Sequence, residues 1–302
     1  MNALQGRVAI VTGAGRGIGR EHALLFAAEG ARVVVNDLGG SSTGIGADAS
    51  PAEEVVAEII AAGGEAIANH DDVTDWGGAE RLISTALDAY GDLDVLVNNA
   101  GILRDRMLAN MSEEEWDSVV KVHLKGHFAP LRFAAAHWRD KAKTGAHVSA
   151  SVINTSSTSG LFGNVGQSNY GAAKMGIAAL SIIASKELGR YGVRVNAIAP
   201  AARTRLTAAL GGGADTTADA DSAAFDAMDA GNISPFVAYL ATETCPINGR
   251  AFLVYGGQVH LFQPWAIIDR IEKDGRWTIE ELAEQGARFA DVPFQLNDPF
   301  SL

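Results

Sequence analysis

The chain has 302 residues, 47% of them apolar and 20% charged, with a formal net charge of −12. That composition buries a full core and excludes a disordered chain, and the acidic balance argues against a general nucleic-acid binder, which needs a basic face. A single cysteine, Cys245, excludes an intramolecular disulfide and a multi-cysteine metal site and fits a reducing compartment.

In chain order, strand-like and helix-like segments alternate. "RVAIVTG" (7–13) is a short β-branched run ending at glycine, and "GIGREHALLFAAEG" (17–30) follows with helical periodicity. "ARVVVND" (31–37) is a second strand, "SPAEEVVAEIIAAGG" (50–64) a helix opened by Ser-Pro and closed by paired glycines. "EAIANHDDV" (65–73), "DWGGAERLISTALDAYG" (75–91) and "LDVLVNNAG" (93–101) continue the series as strand, helix and strand. A helix from about Ser112 to Phe133 comes next, then a strand at 147–157 and a helix at about 168–189. A strand at 193–200, a helix at about 233–243 and a strand at 251–257 close it.

Alternating elements with nearly continuous apolar strands predict a parallel sheet covered on both faces. Two stretches break the rhythm. "LGGSSTGIGAD" (38–48) is a Gly/Ser-rich loop, and residues 210–232 carry five Asp and no Lys or Arg, so they read as a mobile loop or lid, or as a surface insertion. Residues 260–302 are expected to be an extension packed on the domain of residues 1–259. Only "MNALQGR" precedes the first strand, no apolar run nears the ~18–20 residues of a membrane span, and the final "FSL" is not a peroxisomal tripeptide. The expected location is the cytoplasm, with no membrane or nucleic-acid partner.

Three motifs carry chemistry. In "TGAGRGIG" (12–19), Gly13, Gly17 and Gly19 join a strand to a helix, where bare backbone approaches a pyrophosphate and the helix N-terminus attracts it. Asp37 stands 18 residues beyond Gly19, placed for ribose hydroxyls, so NAD is expected over NADP, with Arg16 able to salvage some NADP use. "NNAG" (98–101) ends the fourth strand. Ser157 ends a later strand, and Tyr170 and Lys174 lie four apart, on one helix face.

Together these motifs resemble the short-chain dehydrogenase/reductase family over nearly the whole chain. Within it, the closer resemblance is to the (3R)-hydroxyacyl-CoA dehydrogenase module of peroxisomal multifunctional enzyme type 2. It is carried by "VVVNDLGG" (33–40), "NNAGILRDR" (98–106), "VHLKGHF" (122–128), "GNVGQSNYGAAK" (163–174) and "NGRAFLV" (248–254).

The resemblance implies a Rossmann-type doubly wound α/β domain with a seven-stranded parallel sheet, a homodimer or homotetramer, and NAD as cofactor. It implies Ser157, Tyr170, Lys174 and His123 as the catalytic set. It also implies contacts to NAD from Gly13, Arg16, Gly17, Ile18, Gly19, Asp37, Asp72, Val73, Asn99, Ala100, Gly101, Tyr170, Lys174, Pro200 and Thr204. The family's Pro-Gly after the sixth strand is Pro200-Ala201 here, and its later threonine is Arg205.

The implied substrate is a 3-hydroxyacyl-CoA, with a hydroxysteroid or steroid side-chain CoA ester as the alternative and a non-catalytic NAD-binding protein as the reading from another class. Arg104, Arg106, Lys125, Lys141 and Lys143 are candidates for CoA phosphates or plain surface charge. A tyrosine takes a proton from an alcohol only as phenolate, and Lys174 together with the positive nicotinamide ring is expected to lower its pKa from about 10. The seven histidines (His22, His70, His123, His127, His137, His147, His260) show no metal-ligand spacing, so no metal is expected. His123 stands where the family usually has asparagine, and its backbone and ring are expected to share that supporting role.

Overall fold

The computed structural model describes residues 2–204 and 225–292. Arg205 and the first part of the Asp-rich stretch, to residue 224, lie outside the described residues. Residues 2–261 contain an eight-stranded sheet: β1 (Val8–Thr12), β2 (Arg32–Asn36), β3 (Glu65–Asn69), β4 (Val95–Asn98), β5 (Ala150–Thr155), β6 (Val193–Ala201), β7 (Ala251–Tyr255) and β8 (Gln258–Leu261). Its order is β3-β2-β1-β4-β5-β6-β7-β8. The first seven strands pair in parallel, and β8 returns antiparallel to β7. The expected seven-stranded parallel sheet therefore gains an eighth, reversed strand. The physical cause is the Gly256-Gly257 turn, where Gly256 has φ +51 and lets the chain double back. Consequently the first compact unit ends at Leu261, not at residue 259.

Helices α1 (Gly17–Ala28), α2 (Ser50–Ala61), α3 (Trp76–Tyr90), α4 (Glu113–Val120), α5 (Gly126–Lys143), α6 (Thr158–Leu161), α7 (Ser168–Leu188) and α8 (Ser234–Ala241) flank it. One core joins Ala23 and Phe26 of α1, Ile59 of α2 and Val237 of α8 to Val11, Val97 and Ile198 of the sheet. The other joins Leu82 of α3, Trp138 of α5 and Leu188 of α7 to Ile10, Leu96 and Val152. The odd and even residues of each strand thus face different helical layers, as a period of two requires. Helix ends follow local chemistry: Asp75 accepts from Gly78 N at 2.7 Å to start α3, and Ser112 and Glu115 form a reciprocal capping box at α4.

The single helix expected from Ser112 to Phe133 is interrupted. Residues Lys121–Lys125 form a π-helical turn between α4 and α5, with His123 at its centre. A π-turn adds one residue to a helical ladder and is common at functional sites.

The second unit, residues 262–302, contains α9 (Ile279–Gly286), opened by a capping box of Thr278 and Glu281. Lys273 pairs with Glu281 at 2.5 Å, and Arg288 pairs with Asp269. Among the described residues no helix is long and apolar enough to cross a membrane.

Candidate functional site

The strand order reverses direction between β1 and β4, and open α/β sheets bind ligands at that point, beyond the strand carboxyl ends. A cleft of about 590 Å³ lies here. Its walls include Gly13, Arg16, Gly17, Ile18, Asp37, Asp72, Val73, Asn99, Ala100, Gly101, His123, Ser157, Tyr170, Lys174, Pro200 and Thr204. Of the residues expected in the catalytic set or in contact with NAD, only Gly19 is absent from those walls. Its part is internal: a Cβ there would fall 2.2 Å from the Gly13 carbonyl oxygen, so only glycine lets α1 close against the turn. Gly13 itself has φ +62, a conformation glycine favours.

Asp37 extends from β2 into this turn. Its Oδ2 accepts from Gly15 N at 2.8 Å and its Oδ1 from Gly39 N at 2.6 Å. The carboxylate is therefore fixed in place, with lone pairs to spare. Asp72 accepts from Thr74 N at 2.8 Å and shapes the bend after β3. Asn99 donates to the carbonyls of Thr12 and Gly13 at 3.1 and 3.2 Å, which ties the NNAG segment to the glycine turn.

At the other end of the cleft, Ser157 lies two residues beyond β5 in an extended conformation and caps α6, its Oγ accepting from Ser159 N at 3.1 Å. Tyr170 and Lys174 project from α7. The Lys174 ammonium donates to the Thr155 carbonyl at 2.6 Å and lies 5.4 Å from the Tyr170 ring centre. The His123 ring meets the Tyr170 ring edge-on, with centroids 5.0 Å apart. His123 Nε2 lies 2.7 Å from the Ile102 carbonyl oxygen and 3.1 Å from its amide nitrogen, so the tautomer decides which of the two it bonds.

Burial dominates the electrostatics. It pushes the Tyr170 phenol up to about 12, opposed by a hydrogen bond from Ser157 and aided by the negative charge of Asp105. It pulls Lys174 down to about 7. In the protein by itself the low-dielectric site thus penalises both ionised forms. His123 is likewise held well below the ordinary histidine range, first by burial and then by Lys174.

The candidate phosphate contacts scatter. Only Arg104 lines the cleft, and it is held by Glu114 at 2.8 Å and by the Thr43 carbonyl at 3.1 Å. Arg106 pairs with Glu115 at 3.0 Å, Lys141 with Asp92, and Lys143 with Asp140 at 3.7 Å. Lys121 was not singled out, yet it lines the cleft at the start of the π-turn. The 38–48 loop also forms part of the wall, held through Leu103 N to the Ser42 carbonyl at 3.0 Å. The residue types of that loop carry no signal for this; its contact partners lie some sixty residues away in sequence. No group of three or more His, Cys, Asp or Glu suited to a metal occurs among the described residues.

A glycine turn, a fixed acid after β2 and a serine, tyrosine and lysine at one cleft define a Rossmann-type α/β protein built for redox chemistry on a small substrate. The short chain dehydrogenase family profile matches residues 7–211. The chain is 47% identical over 287 residues to hydroxyacyl-CoA dehydrogenase ChsB1 of Mycobacterium tuberculosis, across 92% of this chain and 87% of that one. It is 43% identical over 290 residues to peroxisomal multifunctional enzyme type 2 of Drosophila melanogaster, across 95% of this chain but only 46% of that protein. A solved short chain dehydrogenase from Mycobacterium avium superimposes with a TM-score of 0.84 at 51% identity, across 96% of this chain and 95% of that one. The chain belongs to the short-chain dehydrogenase family.

Proposed function

We propose that the protein is an NAD-dependent oxidoreductase that interconverts a (3R)-3-hydroxyacyl-CoA and its 3-oxoacyl-CoA. The observation that carries this reading is the meeting of Ser157, Tyr170 and Lys174 in the cleft that begins at the glycine turn. The similarity to ChsB1 and to multifunctional enzyme type 2 supports the acyl-CoA class.

The residues fit a nicotinamide dinucleotide. Glycines 13 and 17 leave backbone bare at the α1 N-terminus for a pyrophosphate, and Gly19 lets α1 close against that turn. Asp37 accepts hydrogen bonds from ribose hydroxyls and repels a 2′-phosphate, which favours NAD over NADP. Bound NAD⁺ supplies the hydride acceptor and a positive charge. Tyr170 takes the alcohol proton, and Ser157 hydrogen-bonds the substrate oxygen and holds it beside the phenol. Lys174 offsets the phenolate charge inside the buried site. His123 braces the Tyr170 ring and the Ile102 backbone.

Exposed apolar side chains on helical faces, among them Trp116, Phe128 and Ile183, support a homodimer or homotetramer.

Steady-state kinetics test the substrate. A 3-hydroxyacyl-CoA is expected to exceed both its free acid and a hydroxysteroid in kcat/KM with NAD. A free acid or steroid alcohol turned over as well as the thioester overturns the acyl-CoA assignment.

A further inference from the structure

The 38–48 loop is an arch with both feet at the cofactor acid. At its start Gly39 N donates to Asp37 Oδ1 at 2.6 Å, and at its end Asp48 N donates to the Leu38 carbonyl at 3.0 Å. A Cβ on Gly39, where φ is +76, would fall 1.8 Å from the Asp48 carbonyl oxygen, so the feet touch. Ser41 closes the crown: its N donates to the Ile45 carbonyl at 2.9 Å and its Oγ accepts from Ile45 N at 3.0 Å. Leu38, Gly40, Ser41 and Gly44 line the cleft together with Asp37.

The crown leans on the segment that follows NNAG. Leu103 N donates to the Ser42 carbonyl at 3.0 Å and Arg104 Nε to the Thr43 carbonyl at 3.1 Å. The Gly44 backbone comes so near Ile102 that a Cβ would fall 3.1 Å from Ile102 Cδ1. Beyond Ile102 the contacts continue inward. Its carbonyl oxygen lies 2.7 Å from His123 Nε2, and the His123 ring meets the Tyr170 ring edge-on at 5.0 Å. An unbroken run of contacts therefore joins Asp37 to Tyr170.

Residues 43–48 are exposed, so little burial holds the crown in place. Each hydrogen bond to it contributes about 0.5–1.5 kcal/mol net. Such a segment belongs to the part of a protein that opens locally, and a ligand that touches it in one arrangement favours that arrangement. Packed side chains then carry the shift onward.

We propose that the 38–48 loop couples the two ends of the cleft: adenosine bound at Asp37 seats the loop on Ile102–Arg104 and so sets the His123 ring against Tyr170. This rests on the reading of Asp37 as the acceptor of ribose hydroxyls. The adenosine half of the cofactor is then an activator of hydride transfer as well as an anchor. Arg104 is a positioning residue here, because its guanidinium joins the Thr43 carbonyl to Glu114 of α4.

AMP is the probe, since it carries the adenosine without the hydride acceptor. Calorimetry establishes its Kd, and every comparison is made at saturation. In the parent, AMP is expected to slow amide exchange at Leu103 and to shift the Tyr170 ring signals in NMR spectra, assigned with Tyr170→Phe. With nicotinamide mononucleotide as hydride acceptor, AMP is expected to raise kcat about fivefold or more, the lower end of coupling between sites. Arg104→Met and Ile102→Ala each cut the contact with the loop, and in both the AMP effects are expected to shrink below about twofold. Arg104→Met keeps the test open where Ile102→Ala does not fold. AMP that binds without slowing exchange at Leu103 overturns the seating. Slowed exchange with unmoved Tyr170 signals overturns the link to the tyrosine, whatever the rate with the mononucleotide. Effects undiminished in both variants overturn the route through Ile102 and Arg104. Failure of AMP to bind would instead overturn the reading of Asp37, and the coupling with it.

Discussion

His123 occupies the space that a side chain on Gly101 would need. A Cβ built on Gly101 falls 2.4 Å from His123 Cε1, closer than real atoms approach. Gly101→Ala is therefore expected to displace the ring from Tyr170 and Ile102 and to cost about 1–3 kcal/mol of stability, as overpacking does. Adding His123→Asn shortens the side chain and is expected to return at least about 1 kcal/mol, a coupling typical of touching residues. Denaturant titration of both single variants and the double variant measures this. Strictly additive losses would contradict the contact.

Tyr170→Phe removes the phenol and leaves the ring that His123 packs against. Loss of a positioned acid–base group costs about 10²–10⁴ in rate. The variant is expected to keep its Tm and its Kd for NAD while kcat falls by that factor. Turnover within a few-fold of the parent would remove Tyr170 from the mechanism.

Asp37→Ala is expected to weaken NAD and relieve repulsion of the NADP phosphate. Charged hydrogen bonds contribute about 1.5–3 kcal/mol, so kcat/KM for NAD should fall about 10–100-fold. The NADP value should rise or hold. The variant also leaves the amides of Gly15 and Gly39 without their acceptor, so its Tm should drop. A cofactor ratio equal to the parent's would show that Asp37 only shapes the turn.

Stability should depend on pH through His22. This histidine is fully buried between α1 and α8, its Nδ1 2.8 Å from Ser234 Oγ, and burial lowers it to about 3. Below its unfolded value of about 6.5, the unfolded chain binds a proton that the folded chain refuses. Stability is therefore unaffected by this group above pH ~6.5 and falls as pH drops from there toward 3. At pH 5.5 the loss is about 1.4 kcal/mol from this residue. His123 and His127 are lowered too and add in the same direction. Denaturant titrations at pH 7.5 and 5.5 should show the drop in the parent and a smaller one in His22→Gln. Identical pH dependence in the two proteins would contradict it.

Much of the fold can be read from residue order. The apolar runs from "RVAIVTG" to "AFLVYGG" each became a parallel strand, buried along most of its length except in the edge strand β3, because burial on both faces imposes an apolar composition. The residue clusters at 13–19, 37, 98–101 and 157–174 meet in one cleft, because each ends or follows a strand at the same edge. β8 was less visible. "QVHL" alternates polar and apolar residues, and all four are exposed, so no core pattern marks it. The Gly-Gly pair between two short apolar runs was the available signal. The π-turn was invisible for another reason: hydrophobic periodicity tolerates one extra residue. The carboxylate partners of Arg106 and Lys141 were equally hidden, since only the fold brings Glu115 and Asp92 near them.

The π-turn also fixes an angular offset between α4 and α5. Each added residue rotates a helix by about 100°. Val119 before the turn and Ala134 and Trp138 after it all point inward, and the Trp138 indole donates to the Leu93 carbonyl at 2.6 Å. Deleting any one residue of 121–125 would give a more regular helix and a worse protein. It would leave α4 in phase and swing the whole of α5, tryptophan included, a quarter-turn or more out of register with the sheet beneath it. In this segment length is a coordinate: a shortening that chemistry would tolerate is a rotation that packing would not.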